Sequence, residues 1–318
     1  MSGTMAEKFL GRNLQNASKS FGAPLGLALA VILGGALLDW RLGLVLAVWL
    51  GAWGLNIVLT GGQGGAKRFV VPAIFGITLL VLWQMTVRLF GISPVILPAP
   101  SDIWVTLLGA IPVLWADFMQ TVVKGALSGY IIGAVLAIGT AIAVDRSSFL
   151  QRGLLPVGNF IAALPIVGTA PILVMWFGFG WQSKAAVVAV MVFFPVLVNT
   201  VAGLKDTDSM QRDLMRTYAA SYWQSFAKLR LPAALPFIFN GLKVSTTLAL
   251  IGAIVAEFFG SPIVGMGFRI KTSFGTLELA MVWAEIAVAA LAGSGFYGLV
   301  TLAEKRLTFW HPSQRADR

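Results

Sequence analysis

Apolar residues in this chain gather in long runs separated by short polar stretches. The runs cover residues 24–40, 42–60, 69–87, 118–144, 154–178, 185–203, 237–257 and 279–303. A helix needs about 17 to 25 mostly apolar residues to cross the hydrocarbon core of a bilayer, and the runs reach that length. Eight spans are therefore expected, in an all-α, polytopic helical bundle. The first two runs almost touch around Trp40 and Arg41, which predicts a tight helical hairpin. A cleaved signal peptide pairs a short apolar core with a small-residue cleavage site. Here a second run follows the first at once, so 24–40 is expected to be retained as a helix.

The polar stretches divide the chain. The segment from Thr60 to Arg68 reads TGGQGGAKR, and its glycines suit a flexible joint. It separates a tail and two-span leader (1–66) from a six-span body (67–310), which a short polar tail follows (311–318). The spacing G-x-x-x-x-G-K-[ST] is absent here and elsewhere, so any ATP chemistry is expected on a partner chain. Lys and Arg favour cytoplasmic loops. With both termini inside, sixteen basic residues fall on the cytoplasmic side, and only Arg41, Arg88, Lys184, Arg269 and Lys271 fall outside. That asymmetry sets the expected orientation for an even number of spans.

Composition supports a membrane protein: 58% of the 318 residues are hydrophobic and 11% are charged, against about 25% charged in soluble domains. The net charge of +10 sits mainly between the runs, so it reports topology and anionic lipid rather than nucleic acid. There is no cysteine, and the single histidine, His311, lies in the polar tail. Disulfides are excluded, and metal or histidine-based catalysis is not expected.

One loop is unlike the others. Between two very apolar runs stands RTYAASYWQSFAKLRLPAALP, Arg216 to Pro236. Read as one helix, it and the turn before it place Leu214, Tyr218, Tyr222, Phe226 and Leu229 on one face, and Arg212 and Arg216 on another. A helix lying on anionic lipid has such a pattern, and so does a knob that fits a groove on a protein.

The longer segment DLMRTYAASYWQSFAKLRLPAALP resembles the cytoplasmic loop of permease subunits in binding-protein-dependent ABC importers. In that family the loop reads E-A-A, three residues, glycine, nine residues, an aliphatic, one residue and L-P. The E-A-A positions fall on Asp213, Leu214 and Met215, the glycine on Ala219 with Ala220 after it, the aliphatic on Leu229, and the closing pair on Leu231 and Pro232. LWQMTVRLFGISPVILPAPSDIW, TAPILVMWFGFGWQSK, FFPVLVNTVAGL, VAEFFGSPIVGMGF and AEKRLTFW resemble the nitrate, sulfonate, taurine and bicarbonate branch. The likeness runs from residue 82 to 310 and leaves out the first two spans.

The resemblance implies the six-span type I importer permease fold, here with two additional N-terminal spans, in a bacterial cytoplasmic membrane. It implies two ABC ATPase subunits that carry ATP and Mg, an extracytoplasmic solute-binding protein and a second copy of the chain in a homodimer. The chain would carry no cofactor and be no enzyme. Residues 204–236 would form the ATPase-coupling loop. Tyr222, Phe226 and Leu229 are expected as inserted anchors, Trp223 beside them, and Arg216 and Lys228 at a polar rim. Pro232 is expected to end the knob before the next span. The solute would be a sulfonate, a nitrate-like oxyanion or a related small organic molecule, and Pro94–Asp102 and Gly260–Phe268 would meet the binding protein.

Candidates for the translocation path are Pro165, Thr169, Asn199, Glu257 and Glu285. Pro165 and Pro171 are placed inside a span, either as tolerated kinks or as a hinge on the path. Glu257 and Glu285 are costly on a lipid-facing surface, so an inward orientation is expected, on the path or in an ion pair. Lys124 and Lys243 sit near span ends and either snorkel or contact solute. A secondary transporter is the alternative, although no repeated halves are evident. An intramembrane enzyme lacks candidate groups.

Overall fold

The structure is a computed structural model that describes residues 28–60, 67–147, 149–150, 152–153, 165–260 and 263–310. Among these the chain is helical, with no strand. It divides into two units, Met1–Val105 and Thr106–Arg318.

The first unit contains α1 (Ala28–Leu38), α2 (Trp40–Thr60), α3 (Lys67–Leu89) and the start of α4 (Pro100–Gly109). The expected hairpin breaks at Asp39, whose carboxylate accepts from the Arg41 amide at 2.9 Å and so caps α2. Its arms pack closely: a Cβ on Gly43 would stand 2.6 Å from that of Ala36. After α3, Arg88 pairs with Asp102 at 2.5 Å, and the Ser101 amide donates to Gln84. The expected loop 94–102 thus ends in the first turn of α4, where Asp102 faces the helix dipole favourably.

The second unit holds α5 (Ile111–Arg146), α6 (Ile166–Phe177), α7 (Trp181–Lys205), α8 (Ser209–Thr217), α9 (Tyr222–Phe259), α10 (Met266–Gly275) and α11 (Leu279–Leu307). Within α5, Met119–Leu127 winds with wider π turns. Among the described residues, five helices are long and apolar enough to cross a membrane: α3 from Val70, α5, α7, α9 and α11. They match the runs 69–87, 118–144, 185–203, 237–257 and 279–303. Much of the run 154–178 lies outside the described residues. The rest forms α6, which starts after Pro165, so Pro165 is an extended N-cap residue and only Pro171 is inside the helix. A proline ring clashes with the preceding turn, and the start of a helix avoids that clash.

Helix α7 packs between α5 and α9. Gly129, Gly133, Ala137 and Ala141 recur every fourth residue on α5 and bring its backbone onto α7. A Cβ on Gly129 would lie 2.5 Å from the Ala185 carbonyl, and one on Gly133 2.6 Å from that of Ala189. On the other side of α7, Gly203 of α7 and Gly241 of α9 bring those two helices together, where an added Cβ would stand 2.7 Å from Phe237 and 3.0 Å from Asn199. Between helices in lipid the hydrophobic effect offers little, so close packing of small residues carries the association.

Candidate functional site

The loop between α7 and α9 is built from successive caps. Asp208 accepts from the Met210 amide at 3.2 Å and starts α8. Helix α8 ends where the Ala219 amide bonds the Arg216 carbonyl and the Ala220 amide bonds that of Met215. This is the pattern of a Schellman stop, which needs a left-handed residue, and Ala219 has φ +50°. The position where the loop it resembles has glycine is therefore one where a Cβ is strained. Ser221 and Gln224 then form a reciprocal capping box that opens α9.

Because the chain turns at Ala219, the expected single apolar face is split. Tyr222 and Phe226 turn inward, which corrects their reading as inserted anchors. Phe226 is buried against Leu204, Ala234 and Ile238, with Leu231 beside them. The Tyr222 hydroxyl donates to Asp145 at 2.8 Å. Arg230 grips the same carboxylate through two nitrogens, one at 2.7 Å, and also donates to the Leu204 carbonyl. Arg146 lies 5.1 Å over the Tyr222 ring. Leu229 is half-buried.

The outward face belongs to other side chains. Met210, Leu214 and Tyr218 stand four residues apart along α8 and are 77%, 55% and 76% exposed. Trp223 is also exposed, with its ring edge-on to Tyr222 and Phe226 and beneath Arg146. Of the E-A-A positions, Asp213 is exposed and pairs with Arg216 at 3.2 Å, and Met215 is half-buried. Pro232 does not end the knob as expected, because α9 runs unbroken from Tyr222 to Phe259. The π turns at Phe226–Arg230 loosen the ladder just ahead of it, leaving Pro232 in the first turn of the α-helical part, where a missing N–H costs little.

The path candidates separate. Asn199 donates to the Pro195 carbonyl at 2.8 Å and accepts from Asn240 at 3.1 Å, so it bridges α7 to α9. Thr169 is half-buried on α6, and Pro165 is exposed at its start. Lys243 forms an ion pair with Glu304 of α11 at 2.8 Å, which settles it as a structural partner. Asn240 was not among the sequence candidates, and no periodicity argument singles out one asparagine within an apolar helix.

Glu257 and Glu285 lie instead in a buried cluster at the end of the unit opposite the loop. Glu257 accepts from Thr121 at 2.9 Å and from the Gly267 amide at 2.8 Å, and it borders a hollow of about 490 Å³ with Phe179, Phe268 and Lys271. Asp117 accepts from the Gly265 amide at 2.6 Å and from Arg269 at 2.8 Å, and Glu285 lies beside it. Three acceptors, Asp117, Thr121 and Glu257, thus meet the first amides of α10, where unpaired donors and the helix dipole favour them. Lys184, fully buried, donates to the carbonyls of Phe179 and Gly260. Sequence spacing did not link Asp117 or Lys184 to this cluster, because their partners lie far away along the chain.

Comparison with known proteins supplies the context for this geometry. Residues 129–309 match the family described as binding-protein-dependent transport system inner membrane component. The riboflavin transport system permease of Chloroflexus aurantiacus is 31% identical over 255 residues, covering 78% of this chain and 94% of that protein. The formylaminopyrimidine transport permease of Halalkalibacterium halodurans is 29% identical over 243 residues, with 76% and 96% covered. The taurine transport system permease of Escherichia coli is 28% identical over 241 residues, with 73% and 86% covered. In this family the permease works with an ATPase and a solute-binding protein, which favours ATP-driven import over secondary transport. The chain therefore belongs to the inner-membrane components of binding-protein-dependent transport systems, as the membrane-spanning permease subunit of an ABC importer.

Proposed function

We propose that this permease works as a homodimer in the bacterial cytoplasmic membrane, with both termini inside, two ATPase subunits below it and a solute-binding protein outside. Nucleotide and Mg bind the ATPase subunits, and the chain itself catalyses no reaction. Solute passes by alternating access. The solute is a small molecule of the kinds named for the relatives, either a heterocycle such as riboflavin or formylaminopyrimidine or a sulfonate such as taurine.

The observation that carries the coupling role is the one-sided loop. Its inner side is locked to Asp145, Leu204 and Ile238, while Met210, Leu214, Tyr218 and Trp223 stand in the open. Large apolar and aromatic side chains on a rigid element suit the buried centre of an interface, with Arg216 and Lys228 at its rim. Leu214→Asp is the direct test. It leaves the inner contacts intact and puts a charge into the expected groove, so the ATPase should be lost from the detergent-purified complex with an affinity drop of about thirtyfold or more. Normal ATPase stoichiometry and solute-stimulated hydrolysis in this variant would refute the assignment of the loop.

The leader, residues 1–66, falls outside the family match. A body beginning near Lys67 is expected to import solute at wild-type rate if it inserts and assembles. Loss of uptake in a truncated protein that is assembled normally would give the leader a transport role.

A further inference from the structure

The loop end of α9 departs from regular α-helix. Tyr222–Ser225 is one α turn, and Phe226–Arg230 winds with wider π turns before the α-helical part begins at Leu231. Such turns loosen the hydrogen-bond ladder and are common sites of bending. A push delivered to the loop is therefore spent at Phe226–Arg230 unless another element stiffens that segment.

One carboxylate of a different helix bridges the segment. Asp145, in the last turn of α5, accepts from the Tyr222 hydroxyl at 2.8 Å and from two guanidinium nitrogens of Arg230. Tyr222 stands before the π turns and Arg230 is their last residue, so both ends of the irregular stretch are tied to the same group. Arg230 also donates to the Leu204 carbonyl at 3.0 Å, one of the last carbonyls of α7, which lie beyond the reach of its own amides. A single guanidinium thus joins α5, α7 and α9 at their loop ends. Its planar fork fixes the angle between partners as well as their distance. Arg146, the next residue of α5, adds a second hold over the Tyr222 and Trp223 rings.

Asp145 is costly where it stands. A negative charge in the last turn of a helix opposes the helix dipole, and the side chains of Asp145 and Arg230, 5% and 17% exposed, have given up most of their water. Well-packed apolar residues of similar volume hold helices together at least as well as a buried ion pair, so what this pair adds is fixed geometry. We propose that Asp145 is a positioning residue for coupling: with Tyr222 and Arg230 it splints the π turns, so that a push of the ATPase on the loop passes into α5, α7 and α9 together instead of bending Phe226–Arg230. The inference rests on the importer reading and names the part that carries its motion.

The test follows amide hydrogen exchange in the permease–ATPase complex, held in phosphatidylethanolamine–phosphatidylglycerol nanodiscs, without nucleotide and with Mg-ATP on a hydrolysis-deficient ATPase. Two stretches are read: Phe226–Arg230, and the amides of Gly265, Met266 and Gly267 at the far end of the unit, which donate to Asp117, Thr121 and Glu257. In the wild-type complex Phe226–Arg230 should exchange slowly in both states, while the far amides change their exchange when nucleotide binds. Asp145→Asn should keep its ATPase, yet exchange at Phe226–Arg230 should rise about tenfold, as loss of charge-assisted hydrogen bonds requires, and the response of the far amides should fall to about half or less. Asp145→Glu should restore part of both. Tyr222→Phe, which deletes one hydroxyl, should raise exchange severalfold and keeps the test usable if Asp145→Asn misfolds. A merely structural role would raise exchange evenly along α9 and leave the nucleotide response unchanged, which would overturn the proposal. Unaltered exchange at Phe226–Arg230 in these variants, far amides that ignore nucleotide in the wild-type complex, or loss of the ATPase from Asp145→Asn would each overturn it too. Failure of the importer reading is separate: it shows as a Leu214→Asp protein that retains its ATPase.

Discussion

At the loop end of the second unit, Met210 and Tyr218 are about three-quarters exposed, while at the opposite end Asp117, Lys184 and Glu285 are wholly buried. One end holds apolar groups out to the solvent, and the other draws charges into the protein. The contrast follows from what each end must satisfy. The first amides of α10 and the last carbonyls of α9 have no helical partners of their own, so buried carboxylates and an ammonium complete them. The loop has satisfied its own ends through Asp208, the Schellman stop and the Ser221 capping box, which leaves its outer side chains without a structural task.

Three substitutions sharpen that contrast. The largest effect is expected at the buried end. Asp117→Ala strands Arg269 and the Gly265 amide, and removal of one partner from a buried pair costs about 3–5 kcal/mol. Reversible unfolding in SDS–detergent mixtures should show this loss, and a cost below about 1 kcal/mol would mean the cluster is not structural. A smaller effect of opposite sign is expected at the loop. Ala219→Gly relieves a left-handed alanine and should stabilise the protein by about 0.5–1 kcal/mol, after allowing for the greater freedom of glycine in the unfolded chain. Destabilisation measured in the same assay would contradict the Schellman geometry. The smallest effect is expected at Arg216→Ala, whose partner Asp213 is also exposed. Stability should move by less than about 0.5 kcal/mol, and ATPase affinity should fall modestly and more steeply at low salt. Salt-independent loss would place Arg216 within the interface rather than at its rim.

Much of the architecture was legible in the sequence because a bilayer allows few solutions. Runs long enough to cross it became α3, α5, α7, α9 and α11. The loop was legible as an amphipathic element, yet its faces were not. The spacing of Leu214, Tyr218, Tyr222 and Phe226 assumes one continuous helix, and the turn at Ala219 reverses the second pair. An alanine in the left-handed region carries no compositional signal, although the glycine expected there by resemblance was the available clue. Glu257 and Glu285 were rightly expected to point inward, but a single sequence does not reveal that Asp117, Thr121 and Lys184 come from distant segments to meet them. The ion pair from Lys243 to Glu304 was hidden for the same reason.

The continuity of α9 has a mechanical consequence. Its first turn carries Tyr222 in the loop, its last carries Glu257 in the buried cluster, and no break separates them. Thirty-eight residues of helix make a lever of about 57 Å. A tilt of about 5° at the loop sweeps the far end by about 5 Å, more than a hydrogen bond can stretch. A tilt transmitted along the whole helix therefore loads the hydrogen bond between Glu257 and the start of α10, and the π turns at Phe226–Arg230 and the ring of Pro236 are where the lever can flex.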